Sequence, residues 1–248
     1  MDTKENRLKN RLEELSLRAA EQRRTVSSDF LTLDEQNILN SAELYTRAYL
    51  YGGYPLAERR AALFGEKGDE EKISECEFLW VKISPVSKKF ADSLTHRDFL
   101  GTLMGLGIKR ETVGDILIDN NCGYVFCEKK VARFIIENLD RVKHTTVRCE
   151  DVLSPPESIG ALPEEQTVTV PSLRLDAVVA AVYKMSRSDS QALFMQKLIF
   201  VNGKMTVNSS YIPKDGEIIS VRHKGRFVFC GKIGETKKQR LKISVRVF

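Results

Sequence analysis

The sequence predicts an α+β protein with a helical front, a mixed middle and a compact basic end. Three observations carry that prediction. Apolar residues recur at helical spacing near the N-terminus, and strand-like and helix-like segments alternate from about residue 77 to 152. From Ser172 onward, two short helices lead into strands punctuated by Asn-Gly and Asp-Gly. The 248 residues then divide into an N-terminal helical region (1–75), a middle domain (76–152), a linker (153–171) and a C-terminal basic module with terminal strands (172–248).

In the first region Leu8, Leu12, Leu15 and Ala19 sit at helical spacing between residues 3 and 24. Thr32-Leu-Asp-Glu35 has the capping-box pattern, so a second helix should follow with Ile38, Leu39, Ala42 and Tyr45 on one face. Tyr51-Gly-Gly-Tyr-Pro55 reads as a turn. A short Ala/Glu/Arg stretch and a charged Gly-containing loop around 65–72 come next.

The middle domain reads as strand (78–83), helix (94–106), strand (113–118), strand (124–127), helix (129–139) and strand (143–149). The order β-α-β-β-α-β is that of a ferredoxin-like, or RRM-like, sandwich. Tyr124 and Phe126 are two residues apart and share a sheet face. Aromatic rings so placed either stack RNA bases or pack in a core, and the basic-aromatic signature of an RRM is missing. Pro155, Pro156, Gly160 and Pro163 mark the linker.

Charge divides unevenly along this order. Residues 172–248 carry 15 Lys and Arg against 5 Asp and Glu, whereas residues 1–171 carry 24 against 29. A net of +10 on one small module points to a polyanionic partner for it. Five cysteines are scattered without C-x-x-C spacing and the three histidines lie far apart, so neither metal nor cofactor is expected. No run approaches the 18 apolar residues of a membrane span, and Met1 to Arg24 is charged throughout. The expectation is a monomeric cytoplasmic protein with no membrane attachment.

The basic module gives the sharpest local signals. Leu175, Val178, Val179, Val182 and Met185 predict an amphipathic helix of about three turns. Ser186-Arg-Ser-Asp189 caps a second helix and puts Arg187 beside free backbone N–H groups, where phosphate binds well. Asn202-Gly203 between apolar runs predicts a hairpin, and Asp215-Gly216 turns into a further strand. Arg174, Arg187, Lys197, Lys204, Arg222, Lys224 and Arg226 are thereby spread over a small scaffold, an electrostatic footprint for folded RNA.

Arg174-Leu-Asp176, Ser186-Arg-Ser188, Val201-Asn-Gly-Lys204, Asp215-Gly216 and Val221-Arg222 resemble, in order and spacing, the S-four domain (alpha-L), a ribosomal RNA-binding module. That resemblance implies a surface built from the two helices and the hairpin, with Arg174, Ser186, Arg187, Gln191, Lys197 and Lys204 as the leading contacts. Lys184, Ser188, Asn202, Arg222, Lys224 and Arg226 complete the RNA-binding candidates, while Asp176 is expected to order the first helix. Phe30-Leu-Thr-Leu-Asp-Glu-Gln36, Gly52-Gly-Tyr-Pro-Leu-Ala-Glu-Arg-Arg60, and Thr95 to Arg110 followed by Gly114-Asp115 extend the likeness to nearly the whole chain. Together they resemble the bacterial YlmH family. The resemblance implies an RRM-like middle domain and association with ribosomal RNA of the large subunit. It further implies a part in handling stalled peptidyl-tRNA complexes, with tRNA as a further partner. Arg59, Arg60, His96, Arg97, Lys109 and Arg110 are then candidates for a secondary contact with RNA or ribosome.

Rival readings have discriminating features. A pseudouridine synthase needs its Asp in a Gly-Arg-Leu-Asp block followed by Thr and Gly, but Arg174-Leu-Asp176 continues as Ala-Val-Val-Ala-Ala, a helix. Gly101, Gly105 and Gly107 have the wrong spacing for a dinucleotide turn, and P-loop, nucleophile-elbow and H-E-x-x-H patterns are absent. His96 lacks an evident partner as a base. The expectation is a non-catalytic protein. The alternative is a cell-division or protein-interaction factor with secondary RNA binding, in which the acidic N-terminal half does the work. DNA binding by the helix pair is weaker, since the hairpin would crowd a major groove.

Overall fold

A computed structural model describes residues 3–65, 77–87, 89, 91–157, 159 and 162–248. They form two compact units, Met1–Ala161 and Leu162–Phe248, of mixed α and β content.

In the first unit, α1 (Lys4–Gln22) starts at the Thr3 cap, whose hydroxyl accepts from the Asn6 N–H at 3.3 Å. Its buried stripe of Leu12, Leu15 and Ala19 packs on Leu31, Ala62 and Phe64. Ser16, also fully buried, accepts the Tyr45 and Thr46 N–H groups at 2.8 and 2.9 Å and so fixes the incoming loop. The Thr32–Glu35 capping box forms as expected. However, the helix that it opens, α2 (Leu33–Gln36), lasts one turn and continues as a 3-10 segment to Ser41, leaving Tyr45 62% exposed.

The N-terminal region is not simply helical. It contains β1 (Val26–Leu31), β2 (Arg47–Tyr51) and β3 (Arg60–Gly65), paired antiparallel in the order β1-β3-β2. Alanines at 61 and 62 carry low strand propensity, but β3 is buried on both faces, and packing overrides propensity there. The loop expected after Gly65 lies outside the described residues.

The middle segment runs β4 (Phe78–Pro85), α3 (His96–Gly105), β5 (Val113–Asp119), β6 (Cys122–Glu128), α4 (Lys129–Asn138), β7 (Arg141–Val142) and β8 (Thr145–Val152). The sheet order is β5-β6-β4-β8-β7. Alternation along β4 sends Val81 and Ile83 to one face, where Phe99, Leu103 and Ile135 of the helices cover them. The other face carries Phe78, Trp80, Tyr124 and Phe126.

That aromatic face is largely covered. Phe30, Ala61 and Leu63, with Tyr51 and Tyr54, pack onto it. Phe30 meets Phe126 edge-on at 5.7 Å between centroids, and Trp80 lies 4.9 Å from Phe126. Phe126 is 2% exposed and Tyr124 7%, and burying such a ring contributes about 2–3 kcal/mol. Gly53 crosses this surface at φ +82°, where an added Cβ would stand 2.7 Å from the Phe126 ring. Of the two readings open for Tyr124 and Phe126, core packing is the one that the geometry supports.

Cys122 and Cys127 are buried free thiols, Cys149 and Cys230 partly buried ones, and Cys76 lies outside the described residues. Burial pushes the Cys149 thiol up to about 11 and Cys127 further up, which makes them poor nucleophiles at neutral pH.

The second unit contains β9 (Glu165–Val170), α5 (Leu175–Val182), α6 (Arg187–Met195), β10 (Ile199–Val201), β11 (Lys204–Met205), β12 (Ile218–Val221), β13 (Gly225–Glu235) and β14 (Leu241–Val247). The sheet order is β11-β10-β12-β13-β14-β9. Leu175, Val178, Val179 and Phe194 of the helices pack on Ile199, Ile219, Phe227 and Ile243 of the sheet. Two expectations need correction. The interval 165–170, read as linker, is a strand whose residues pair with β14 from Glu165↔Arg246 to Val170↔Leu241. Its Gln-Thr-Val-Thr-Val alternation was outweighed by the nearby prolines. The first helix stops at Val182 rather than Met185, because Lys184 turns left-handed at φ +52°.

Candidate nucleic-acid interface

The site is built around one buried carboxylate. Arg174 is the N-cap of α5, and the first helical N–H groups, Leu175 and Asp176, donate to the carbonyls of Tyr211 and Ser209 at 2.7 and 3.1 Å. Asp176, with 0% exposure, accepts from the Ala177 N–H at 2.9 Å. Acidic charge in the first turn also suits the helix dipole.

The same carboxylate takes two guanidiniums. Arg174 donates through Nε (3.1 Å) and Nη2 (3.3 Å), and Arg187 through Nη2 (2.9 Å). Burial alone would raise the pKa of Asp176, but the Arg174 and Arg187 hydrogen bonds overcome it and hold the group below the usual carboxylate range. Each arginine keeps a free side: the side chains are 41% and 53% exposed. Two planar donor arrays are therefore fixed in place and still open to solvent, the arrangement that phosphate recognition favours.

Ser190, one turn after Arg187, donates its hydroxyl to the Asp176 carbonyl at 2.8 Å and is fully buried. It locks α6 against α5. Sequence reading missed it, although the i, i+3 relation to Arg187 puts both on one helix face.

The other candidates sort by what they already bind. The Ser186 hydroxyl accepts the Asp189 N–H at 3.0 Å as the α6 cap and lies 2.8 Å from Ser188 Oγ, so both serines shape the helix start. Asn202 is a turn residue at φ +47°, and its Oδ1 accepts the Ile218 N–H at 2.9 Å. Gln191, Lys197, Lys204 and Lys224 are exposed, as is Lys184. Arg222 lies over the Phe200 ring at 4.9 Å and Arg226 over Phe248 at 4.6 Å, contacts that orient both guanidiniums.

A further basic group escaped the sequence reading. The β13–β14 turn carries exposed Lys237, Lys238 and Arg240, held by a Thr236 N–H donating to the Arg240 carbonyl at 2.8 Å. The signal was the Lys-Lys-Gln-Arg run between two alternating strands.

In the first unit the secondary candidates are differently employed. Asp115 accepts from Tyr54 Oη (2.8 Å) and from the N–H groups of Glu58 (2.7 Å) and Arg59 (3.1 Å). The Arg59 side chain donates to the Phe30 carbonyl at 2.8 Å and to Val113 at 3.2 Å. Arg110 donates to Gly114 at 2.9 Å, and Arg60 to Ala57 at 2.8 Å. These guanidiniums are engaged by backbone carbonyls. Burial raises the pKa of Asp115 against the opposing hydrogen bonds, and burial with the Arg110 charge lowers that of His96. His96, Arg97 and Lys109 are exposed. Asp98 accepts the Thr95 N–H at 2.8 Å and meets Lys143 at 2.9 Å.

Fold and site together define a class: α+β proteins with a preorganised pair of cationic helix starts beside a hairpin. Residues 75–154 match the family described as "Putative RNA-binding domain in YlmH". The chain is 35% identical over 231 residues to a Bacillus subtilis (strain 168) protein named "Ribosome-associated protein quality control protein P2", covering 90% of this chain and 88% of that one. A solved structure, "Cell division protein ylmH from Streptococcus pneumoniae", shares 21% identity with a TM-score of 0.49, over 63% of this chain and 94% of its own. The chain belongs to the YlmH family.

Proposed function

We propose that this protein is a non-catalytic, monomeric RNA-binding adaptor of the cytoplasm. Its target is ribosomal RNA on the large subunit, during the handling of stalled peptidyl-tRNA complexes. The observation that carries the reading is Asp176, buried and fixing Arg174 and Arg187 while leaving both open to a phosphate. The name of the Bacillus subtilis relative supports the ribosomal context. The β-α-β-β-α-β order, with the short β7 added at the sheet edge, supports an RRM-like assignment for the middle segment, and the helix pair with its Asn-Gly hairpin supports an S-four assignment for the C-terminal unit.

Sucrose-gradient sedimentation of the tagged protein in lysate, beside an Arg187→Ala/Lys204→Ala variant, tests the reading. The expected result is wild-type protein on free large subunits and the variant released. Wild-type protein at the top of the gradient in low salt would overturn the ribosomal assignment. Six to eight phosphate contacts predict a log-log salt slope of roughly −4 to −7 for the purified complex.

A further inference from the structure

Phe30, Tyr51 and Tyr54 cover much of the sheet face on which an RRM-like unit would stack bases, leaving there a cavity of about 650 Å³ lined by Tyr51, Phe78, Trp80 and Phe126. The helical side of the unit offers a second, separate surface. Between the end of α3 and the start of α4 lies an apolar hollow of about 290 Å³, lined by Leu106, Ile108, Val131 and Phe134 with Lys109 and Lys130 at its margin. Among the described residues of this unit Phe134 is the one exposed phenylalanine, at 41%. Gly107 turns the chain at φ +81° with open space where its Cβ would stand, so the hollow stays uncovered on that side.

The charges around the hollow stand in solvent, Lys130 within reach of the Glu128 charge. Lys109, Lys130 and, one turn along α4 from Lys130, Arg133 are all exposed, and none makes an ion pair with a described residue. The neighbouring arginine, Arg110, by contrast donates its Nη1 to the Val113 and Gly114 carbonyls. An apolar peptide side chain would have no use for three cations. A nucleotide uses both parts, its base against the ring and its phosphates at the ammonium and guanidinium groups. The volume lies at the lower end of small-molecule pockets, enough for one flat ring system.

We infer that this hollow is a second RNA-binding site that receives one unpaired base against Phe134, with the flanking phosphates at Lys109, Lys130 and Arg133. The inference rests on the RNA-binding reading above and assigns the middle segment its own share in it.

Photo-crosslinking of the full-length protein to 4-thiouridine-labelled single-stranded RNA, with peptide mapping, tests it. The adduct is expected on the peptide containing Phe134 and should disappear in Phe134→Leu, a variant that keeps the apolar cover without a stacking ring. Affinity should fall about tenfold with Phe134→Leu. Lys109→Ala/Lys130→Ala should reduce the magnitude of the log-log salt slope by about 1 to 2. Unchanged melting temperature would exclude a folding defect. Arg174→Ala/Arg187→Ala is the comparison variant. If it releases the RNA while the groove variants bind as wild type and no adduct maps to Phe134, the hollow falls and the C-terminal reading stands. If the wild-type protein binds no RNA, both fall. Groove variants that keep RNA affinity but lose ribosome cosedimentation would make this face a protein-docking surface and overturn the inference.

Discussion

Each unit contains a low-exposure aspartate attended by two arginines, and the two are built to opposite ends. Asp176 takes the guanidiniums themselves and leaves their outer sides in solvent. Asp115 takes a tyrosine hydroxyl and two backbone N–H groups, while its arginines turn to carbonyls of Phe30, Val113 and Gly114. Both sites satisfy buried polar groups, as they must. The first leaves the outer sides of both guanidiniums over for a ligand. An Arg-rich motif is thus a binding surface or a structural pin according to which acceptors reach its arginines first, and residue counts cannot tell the two apart.

Removing the two carboxylates should separate the roles. Asp115→Ala leaves the Glu58 and Arg59 N–H groups and the Tyr54 hydroxyl without their acceptor. It should destabilise the first unit by about 3 kcal/mol, read by urea denaturation, with RNA affinity unchanged where the protein is still folded. Asp115→Asn retains one acceptor and should cost less. If Asp115→Ala lowered RNA affinity in fully folded protein, the pin would be part of the interface after all.

The next effect belongs to the exposed half of the comparison. Arg187→Ala should weaken RNA binding by about 1–2 kcal/mol, through one lost charge-assisted phosphate bond. The Arg59→Ala counterpart should leave affinity as it is and lower the melting temperature instead. Equal affinity losses for the two arginines would erase the distinction.

How far the sequence could go follows the same line. The cap residues Thr32 and Ser186 and the Asn202-Gly203 turn act over a few residues and are found where expected, and the middle strands and helices follow the expected order with one short strand, β7, added before β8. The N-terminal strands and the strand at 165–170 were missed because each owes its conformation to a partner far along the chain: β3 to both neighbours, β9 to β14. Tyr124 and Phe126 fitted two readings until Phe30 was seen to cover them. In the same way, the Asp176 clamp joins residues 174, 176 and 187 across a helix-to-helix turn, and only Arg187 had a local reason to be singled out.

Acidification should pull the two aspartates in opposite directions. Asp176 has its folded pKa below the ordinary 3.8, so its stabilising contribution is complete above 3.8 and is lost as pH falls further, through the folded value. Asp115 has its folded pKa above 3.8, so the native state gains stability as pH falls through that raised value towards 3.8. Measured against Asp115→Asn, the wild type should gain stability between neutral pH and 3.8. Measured against Asp176→Asn, it should hold constant over that range and lose stability below it. A wild-type advantage over Asp176→Asn that already decays near neutral pH would contradict the clamp.

The smallest effect is the most informative about why the C-terminal surface looks as it does. Both helices of the pair end in a lysine at positive φ, Lys184 at +52° and Lys197 at +58°. Each is followed by a bond back across the last turn, Met185 N–H to Ala180 O at 2.9 Å and Leu198 N–H to Leu193 O at 3.0 Å. Glycine is the usual occupant of this position, and a residue with a Cβ is strained there by about 1–2 kcal/mol. Lysine in both places is a cost to the fold that an exposed cation at each helix end can offset through binding. Lys184→Gly and Lys197→Gly should therefore leave stability unchanged or raise it by up to about 1 kcal/mol, after glycine's larger unfolded-state entropy is subtracted. Each should also weaken RNA binding severalfold and reduce the magnitude of the salt slope by about 1. Substitutions that stabilised the protein and left RNA affinity and slope intact would confine the interface to the helix starts and the hairpin, with the two left-handed lysines as strain unrelated to binding.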